Sequence, residues 1–340
     1  MKPEITAPGG SIYGVQGMDP AGTSYQNMSG TSMASPQVAG MAALVAGHIR
    51  SNQLDEKTGV SSRHLIQSLL MSTAKPLQEE ASGGNYWSIL RQGAGLAHVG
   101  SAISAGSYIQ MGENATASWA DYKVKAELGD DPERTGKYQF RFTLNNLTDE
   151  SQEYLLSAAL FTQDLFEDYA SESDQWLEEI GEEFETAWYL SKTTTTLDAD
   201  VTWTVDGKTV EADSRLIHMD FDGNGTVNRD DAQALLDYIA GNREEIFALD
   251  YADLDGSGAV TTYDAYLLLE GLNGGTVTLP AGGKTDITVT MTLTEAQKKA
   301  LDEKYESGAY VQGYVFAAPT ATSEGGPECN PLHSGTGFLW

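Results

Sequence analysis

Apolar and polar positions change period several times along the chain, and each change predicts a different element. From Ser32 onward Ala34, Val38, Ala39, Ala42, Ala43 and Val45 leave few polar positions on any side, which predicts a helix buried nearly all round. Pro36 falls in its first turn, where a missing N–H costs nothing, and Gly30 and Gly40 permit close backbone approach. Ahead of it, KPEITAPGG (Lys2 to Gly10) reads as a short strand closed by Pro8-Gly9-Gly10, followed by a Gly-rich loop. Strand patterns dominate between residues 115 and 212, in YKVKAEL, KYQFRFTLNN, EYLLSAALF and VTWTVDGKTV, with an acidic stretch, Glu167 to Glu185, between the last two. TVTLPAGGKTDITVTMTLT and GAYVQGYVFAA resume the alternation after residue 275. A strand set split by a block of different period implies one β-sandwich that carries an insertion. The final PECNPLHSGTGFLW has no strand pattern.

That inserted block, residues 214–273, is an internal repeat with an offset of 33 residues. DFDGNGTVNRDD (Asp220 to Asp231) matches DLDGSGAVTTYD (Asp253 to Asp264). Beyond the loops, Ala232, Leu235, Leu236 and Ile239 match Ala265, Leu268, Leu269 and Leu272, one apolar helix face per copy. Each copy is thus a twelve-residue loop followed by a short amphipathic helix.

The loop chemistry suits calcium, a hard cation that takes six to eight oxygens from positions 1, 3, 5, 7 and 12. In the first loop these are Asp220, Asp222, Asn224, the Thr226 carbonyl and Asp231; in the second, Asp253, Asp255, Ser257, the Ala259 carbonyl and Asp264. Asn228 and Thr261 stand at position 9, and Gly225 and Gly258 at the sharp turn of position 6. Ser257 in place of Asn marks the second site as the weaker. Magnesium suits the pattern less, since it prefers fewer protein ligands in strict octahedral geometry. The competing reading is a solvated acidic turn, which two matching copies with matching helices disfavour.

Composition narrows the function classes. The 340 residues leave room for two or three domains, and 20 basic against 49 acidic side chains give a net charge of −29. Such a balance argues against nucleic acid, whose phosphates need a basic surface, and permits cation binding and a solvated extracellular surface. No run of 18 apolar residues occurs, so no membrane span is expected. No signal-peptide pattern precedes Gly30, so secretion would have to be directed by sequence outside this chain. The single Cys329 rules out an intramolecular disulfide.

The string GTSMASPQVAG, Gly30 to Gly40, places Ser32 at a helix N-terminus, beside unpaired N–H groups that could stabilise an oxyanion. A Ser/Thr cap on an ordinary buried helix is the competing reading. The string resembles the serine signature of the subtilisin-like proteases (subtilases), and KPEITAPGG resembles the strand before it. LIQSLLMSTAKPL (Leu65 to Leu77) and RQGAGLAHVGSAISA (Arg91 to Ala105) look like the last helices of the catalytic domain in the lactocepin-type, cell-envelope branch. The resemblance covers residues 1 to about 110 and implies that Ser32 is the acyl-forming nucleophile, its own N–H donating to the oxyanion. Chain order in that family is Asp, His, Ser. The other triad members and the oxyanion-hole Asn are therefore expected upstream of Met1, with Met1 an internal Met or a false start. No His precedes Ser32; His48 and His64 follow it and read as structural or surface histidines, and Asn27 is no substitute for the Asn.

Asp at position 12 and the lack of a helix pattern before each loop resemble the dockerin module of cellulosome-type assemblies. That resemblance implies two bound Ca2+ ions and a partner, the cohesin domain of a scaffoldin. Positions 10 and 11, the partner-reading ones, map to Arg229 and Asp230 and to Thr262 and Tyr263, with ordinary exposed helix starts as the alternative. The strands after it resemble a fibronectin type III-like domain of lactocepin-type proteases. One shifted codon reading of LHSGTGFLW would give a string normal for that family, so a frameshift near residues 320–330 is proposed at this point.

The expected architecture is multidomain. An α/β subtilase fragment (1–112) precedes the first part of a β-sandwich (113–212). A small α dockerin with two calcium-binding loop-helix repeats (213–274), the rest of the sandwich (275–320) and an irregular tail (321–340) follow. The expected function is that of a subtilase fragment, a serine endopeptidase acting on protein or peptide substrate when complete. Calcium would hold it in a bacterial extracellular or cell-surface complex. The chain alone would be inactive without the Asp and His. The alternatives are a non-catalytic, calcium-dependent docking or structural protein, and a calcium-stabilised adhesin with a protease remnant as scaffold.

Overall fold

A computed structural model describes residues 3–17, 20–22, 24–79, 85–111, 123–197, 199–210, 219–223, 229–255, 257–272, 275–305, 308–319 and 332–339. A hairpin, β1 (Ile12–Val15) and β2 (Tyr25–Met28), precedes the long helix α1 (Thr31–Asn52). Then come α2 (Leu54–Thr58), α3 (Ser62–Ser72), β3 (Gln78–Glu79), β4 (Asn85–Tyr86), α4 (Ile89–Gln92) and α5 (Val99–Ser104). Strands β5 (Ser107–Met111), β6 (Lys125–Asp130), β7 (Lys137–Asn146) and β8 (Gln152–Tyr169) follow, then α6 (Glu172–Glu179), β9 (Thr186–Leu197), β10 (Ala199–Val205) and β11 (Lys208–Thr209). The repeat contributes α7 (Arg229–Ile239) and α8 (Thr262–Leu272); β12 (Thr276–Leu279), β13 (Lys284–Leu293), α9 (Glu295–Lys304), β14 (Tyr310–Pro319) and β15 (Leu332–Leu339) complete the order.

Apart from the two-stranded β1-β2 and β3-β4 sheets, the described strands form two sheets around one core. One runs β11-β10-β13-β7-β5; the other runs β12-β8-β14-β15-β6, with β9 also paired to β8. Alternate residues of both sheets, among them Phe140, Phe142, Ile287 and Val289 on one and Leu156, Leu160, Val311 and Val315 on the other, meet in a single apolar cluster. Strands before the repeat (β10) and after it (β13) pair antiparallel from Ala199↔Leu293 to Val205↔Ile287, so the 210–275 excursion leaves and re-enters one domain.

Several expectations change. The stretch Lys2–Gly10 forms no strand among the described residues, only a bridge from Thr6 to Leu96; its hydrogen bonds go to the turn at 92–97 instead. The Gly-rich loop after it contains the β1–β2 hairpin. Helix α1 is not buried all round: only Val45 and Ile49 are fully covered, and Leu44 is 59% exposed. The sequence pattern gives a helix its apolar sides, but burial requires other elements on each of them. Here α3 and α5 cover one side. The tail is not irregular throughout, because β15 pairs antiparallel with β14 and parallel with β6. The open edge of β14 supplies the hydrogen-bonding groups that an apolar pattern did not advertise. Strand β5 falls within the 1–112 span yet pairs with β7 as the edge of the first sheet. Cys329 lies outside the described residues.

Phe140→Ala, at the centre of the shared core, should lower unfolding free energy by about 3–5 kcal/mol, read from urea denaturation; an unchanged midpoint would contradict the two-sheet core.

Candidate functional sites

The Ser32 site is built outward from Gly30. Its φ of 149° and ψ of 166° lie in a region open to glycine, and this lets the chain turn into α1 with Ser32 in the first turn, exposed. First-turn N–H groups lack the i−4 acceptor of a helix interior, although the Met33 N–H donates to the Gly30 carbonyl (3.0 Å). The preceding segment is clamped to this turn. The Gly30 N–H donates to the Gly9 carbonyl (2.7 Å), Gln37 Nε2 donates to the Pro8 carbonyl (2.7 Å), and the Ser11 N–H donates to Ser29 Oγ (2.9 Å). A Cβ on Gly9 would lie 2.8 Å from the Gly30 oxygen, so the closeness requires glycine there.

Segment 4–9 is held in turn by the 92–97 turn. Ala94 N–H donates to Glu4 O (2.9 Å), Thr6 N–H to Gly95 O (2.8 Å) and Ala97 N–H to Thr6 O (2.8 Å). Behind that turn stands the sandwich. Buried Gln312 of β14 accepts from Ser88 Oγ (2.8 Å) and the Ile89 N–H (2.7 Å), and Tyr314 donates to the Gly93 carbonyl (2.8 Å). Burial pushes the Tyr314 hydroxyl well above its ordinary pKa, so it stays a donor. Sequence reasoning missed this seam, because Gln312 and Tyr314 read only as alternating strand positions.

Among the described residues, none of the printed histidine contacts reaches Ser32. His48 lies sixteen residues further along the same helix, about 24 Å away at 1.5 Å per residue, where it meets Asn52. His64 stands in the first turn of α3, its N–H on the capping Ser61. His98 caps α5 through the Ser101 N–H (3.0 Å). Asn27 is in β2.

The repeat forms its own small core. Met219, Phe221, Ala232 and Leu235 meet Ala252, Ala265 and Leu268, with α7 against α8. Two carboxylate clusters result: Asp220, Asp222 and Asp231, and Asp253, Asp255 and Asp264, the ligand oxygens of each set within 4.8 Å of one another. Asp231 and Asp264 are fully buried. The clusters are held by matching hydrogen bonds. The Asp222 N–H donates to Asp231 Oδ1 (3.1 Å), and its 33-residue counterpart, the Asp255 N–H, donates to Asp264 Oδ1 (3.3 Å). Asp264 also accepts from the Leu254 N–H (2.7 Å) and from the Thr261 N–H (2.6 Å) and hydroxyl (3.0 Å). Three converging carboxylates per loop repel one another, a cost that a bound cation would offset. All-oxygen donors of this kind fit calcium.

Ser257 donates its N–H to Asp253 (3.0 Å) and Asp255 (2.9 Å) and its hydroxyl to the Ala259 carbonyl (3.1 Å), so both position-5 and position-7 groups sit at the cluster. Gly258 has a φ of +84°, as the sharp turn demands. Asn224, Gly225, Thr226, Val227 and Asn228 lie outside the described residues. Of the four positions assigned to partner reading, Arg229 and Asp230 open α7, and Thr262 and Tyr263 open α8. Tyr263 is 49% exposed and stacks on Tyr266 at 5.7 Å.

Comparison with known proteins adds to this geometry. Residues 1–95 match the family described as Subtilase family, and residues 218–273 match Dockerin type I domain. The "PII-type proteinase" of Lactococcus lactis subsp. cremoris is 37% identical over 110 residues, which is 31% of this chain and 6% of that protein. The "C5a peptidase" of Streptococcus pyogenes is 30% identical over 162 residues, 48% of this chain and 12% of that protein. The chain thus spans a small fraction of the length of the curated relatives it matches. A family 123 glycoside hydrolase structure from Clostridium perfringens overlays with a TM-score of 0.27 and 7% identity, over 69% of this chain and 27% of its own, too distant to carry an inference.

Gly258→Ala forces a side chain into the left-handed region and should cost about 1–2 kcal/mol, read as a lower melting temperature of the repeat; an unchanged melt would mean that the turn is not held in this conformation.

Proposed function

We propose, for a chain that is subtilase over its first 95 residues and carries a type I dockerin, that it presents the nucleophile of a secreted serine endopeptidase and anchors it to a cohesin-bearing complex. The observation that carries this reading is the placement of Ser32 in the exposed first turn of α1 after Gly30, clamped by the segment 4–9. There the Ser32 hydroxyl, its proton taken by a general base, attacks a peptide carbonyl; the C–N bond breaks, the amine leaves with that proton and an acyl-enzyme remains, while helix N-terminal N–H groups stabilise the oxyanion. The general base and its orienting Asp come from additional polypeptide. The uncovered side of α1 around Leu44, together with exposed Tyr13, Val15 and Tyr25 on the hairpin, is a surface suited to receive it.

Calcium occupies the two loops through the carboxylates of Asp220, Asp222 and Asp231 and of Asp253, Asp255 and Asp264, with Asn224, Ser257 and the carbonyls of Thr226 and Ala259 completing the shells. The cohesin reads Arg229, Asp230, Thr262 and Tyr263. The two-sheet domain is read as fibronectin type III-like and braces the nucleophile segment through Gln312 and Tyr314. Acidity, the dockerin and relatives named as proteinases support an extracellular or cell-surface setting; no helix among the described residues is long and apolar enough to cross a membrane.

A second reading, a calcium-dependent docking protein without activity, is favoured by one observation: the histidines of the first segment, His48, His64 and His98, serve structural contacts away from Ser32.

A serine-directed phosphonate separates the two. The protein isolated from its source should be labelled, and Ser32→Ala should abolish the label; silence of the unaltered protein would establish the docking reading. Capture on an immobilised cohesin panel should require calcium and be lost on chelation, whereas capture indifferent to chelator would remove calcium from the docking role.

A further inference from the structure

The β8–β9 ribbon continues past the sheet that roots it. Strand β14 pairs with β8 only as far as Thr162, and beyond that point β8 pairs with β9 alone among the described residues. The projecting part joins Leu165–Tyr169 to Thr186–Leu190 and is capped by α6. It is unusually apolar for so exposed a place: Trp188 is 65% exposed, and Trp176, Ile180 and Leu190 are each at least half exposed. Exposed apolar patches of this kind mark interaction surfaces.

Register fixes what shares a face. Leu165 faces Leu190, Glu167 faces Trp188 and Tyr169 faces Thr186, all on one side of the ribbon. An indole therefore stands directly across from a carboxylate. That pair suits a cationic head group, which takes the ring face by cation–π attraction and the carboxylate by a charge-assisted hydrogen bond. Leu190, next on that face, suits an apolar neighbour of the cation.

Charge selects among possible occupants. Ten carboxylates lie between Asp164 and Glu185, with no Lys, Arg or His from residue 151 to residue 191. Lys304 meets Asp164 (3.3 Å), and Lys192 turns to Glu79 (3.2 Å); among the described residues no basic side chain meets the other nine. Such a field repels anionic lipid and nucleic acid. It draws in a cationic chain. No strand pairs the outer edge of Thr186–Leu190 among the described residues, so backbone groups there can add one more strand.

We propose that this ribbon docks an extended, cationic polypeptide segment in which Lys or Arg alternates with apolar residues. The segment pairs with the outer edge of β9, lays its cations between Trp188 and Glu167 and its apolar residues on Leu190. This docking is independent of any chemistry at Ser32.

The test uses the whole chain and a fluorescein-labelled dodecapeptide of alternating Lys and Val, read by fluorescence anisotropy, with a Glu-Val peptide and cellohexaose as comparisons. The Lys-Val peptide should bind, more weakly as salt rises, and Trp188→Ala and Glu167→Gln should each weaken it about tenfold. The Glu-Val peptide should not bind. Leu190→Ser probes the same face if Trp188→Ala shifts the melting temperature. Equal binding by all variants would mean attraction to overall charge only and would overturn the proposal. So would absence of Lys-Val binding, or a Trp188-dependent response to cellohexaose alone.

Discussion

The arrangement of the first hundred residues depends on one buried amide. Gln312 stands on β14, inside the second sheet, and accepts two hydrogen bonds from the start of α4, one from the Oγ of its capping Ser88 and one from the Ile89 N–H. In a dry interior a donor stripped of its acceptor costs about 1–3 kcal/mol, so the two donors hold this junction in one place. Two residues on, Tyr314 fixes Gly93 from the same strand face. Gly93 has to be glycine, because a Cβ there would lie 2.5 Å from the Glu4 backbone. From Glu4 the restraint passes through Thr6 and Gly9 to Gly30, and so to the turn that presents Ser32. A strand near the C-terminal end of the chain thus determines how a serine near its start is held, through backbone contacts that leave little play.

Acidic groups are used in two opposite ways. In the repeat, carboxylates are turned inward: Asp231 and Asp264 are fully buried and receive backbone N–H donors in the same pattern in both copies. On the ribbon, carboxylates are turned outward and interleaved with tryptophan and leucine. The first arrangement gathers carboxylate oxygens into two compact clusters. The second offers a broad field to something larger. Net charge alone, −29 over the chain, does not distinguish these uses; burial and hydrogen bonding do.

Much of this was legible in the residues. The 33-residue offset, the apolar faces of α7 and α8, the glycine at Gly258 and the strand spans at 137–146 and 284–293 follow from local pattern, because each element carries its own period and turn chemistry. Illegible were the features that arise between distant parts. The seam at Gln312 pairs residues more than two hundred positions apart, and no local signal marks a strand glutamine as an anchor. The pattern of α1 showed apolar sides but not which of them would be covered. In β15 the partner strand supplied what its own sequence lacked. The acidic stretch at 167–185 reads as an interruption because its charges break the apolar alternation of a strand, yet β8 runs through to Tyr169 and the tip folds as α6.

The double attachment of the repeat module has a consequence for its resistance to proteolysis. A module strung at the end of a chain is lost by one cut in its tether. Here the polypeptide enters the module from β11 and returns through β12, and the flanking halves are zipped together by β10 on β13 and β7 on β13. A single nick in either connector leaves the module still tied to the sandwich by the other, and the strand pairs keep the severed halves in register. Being attached at both ends makes loss of the module by proteolysis a two-hit event.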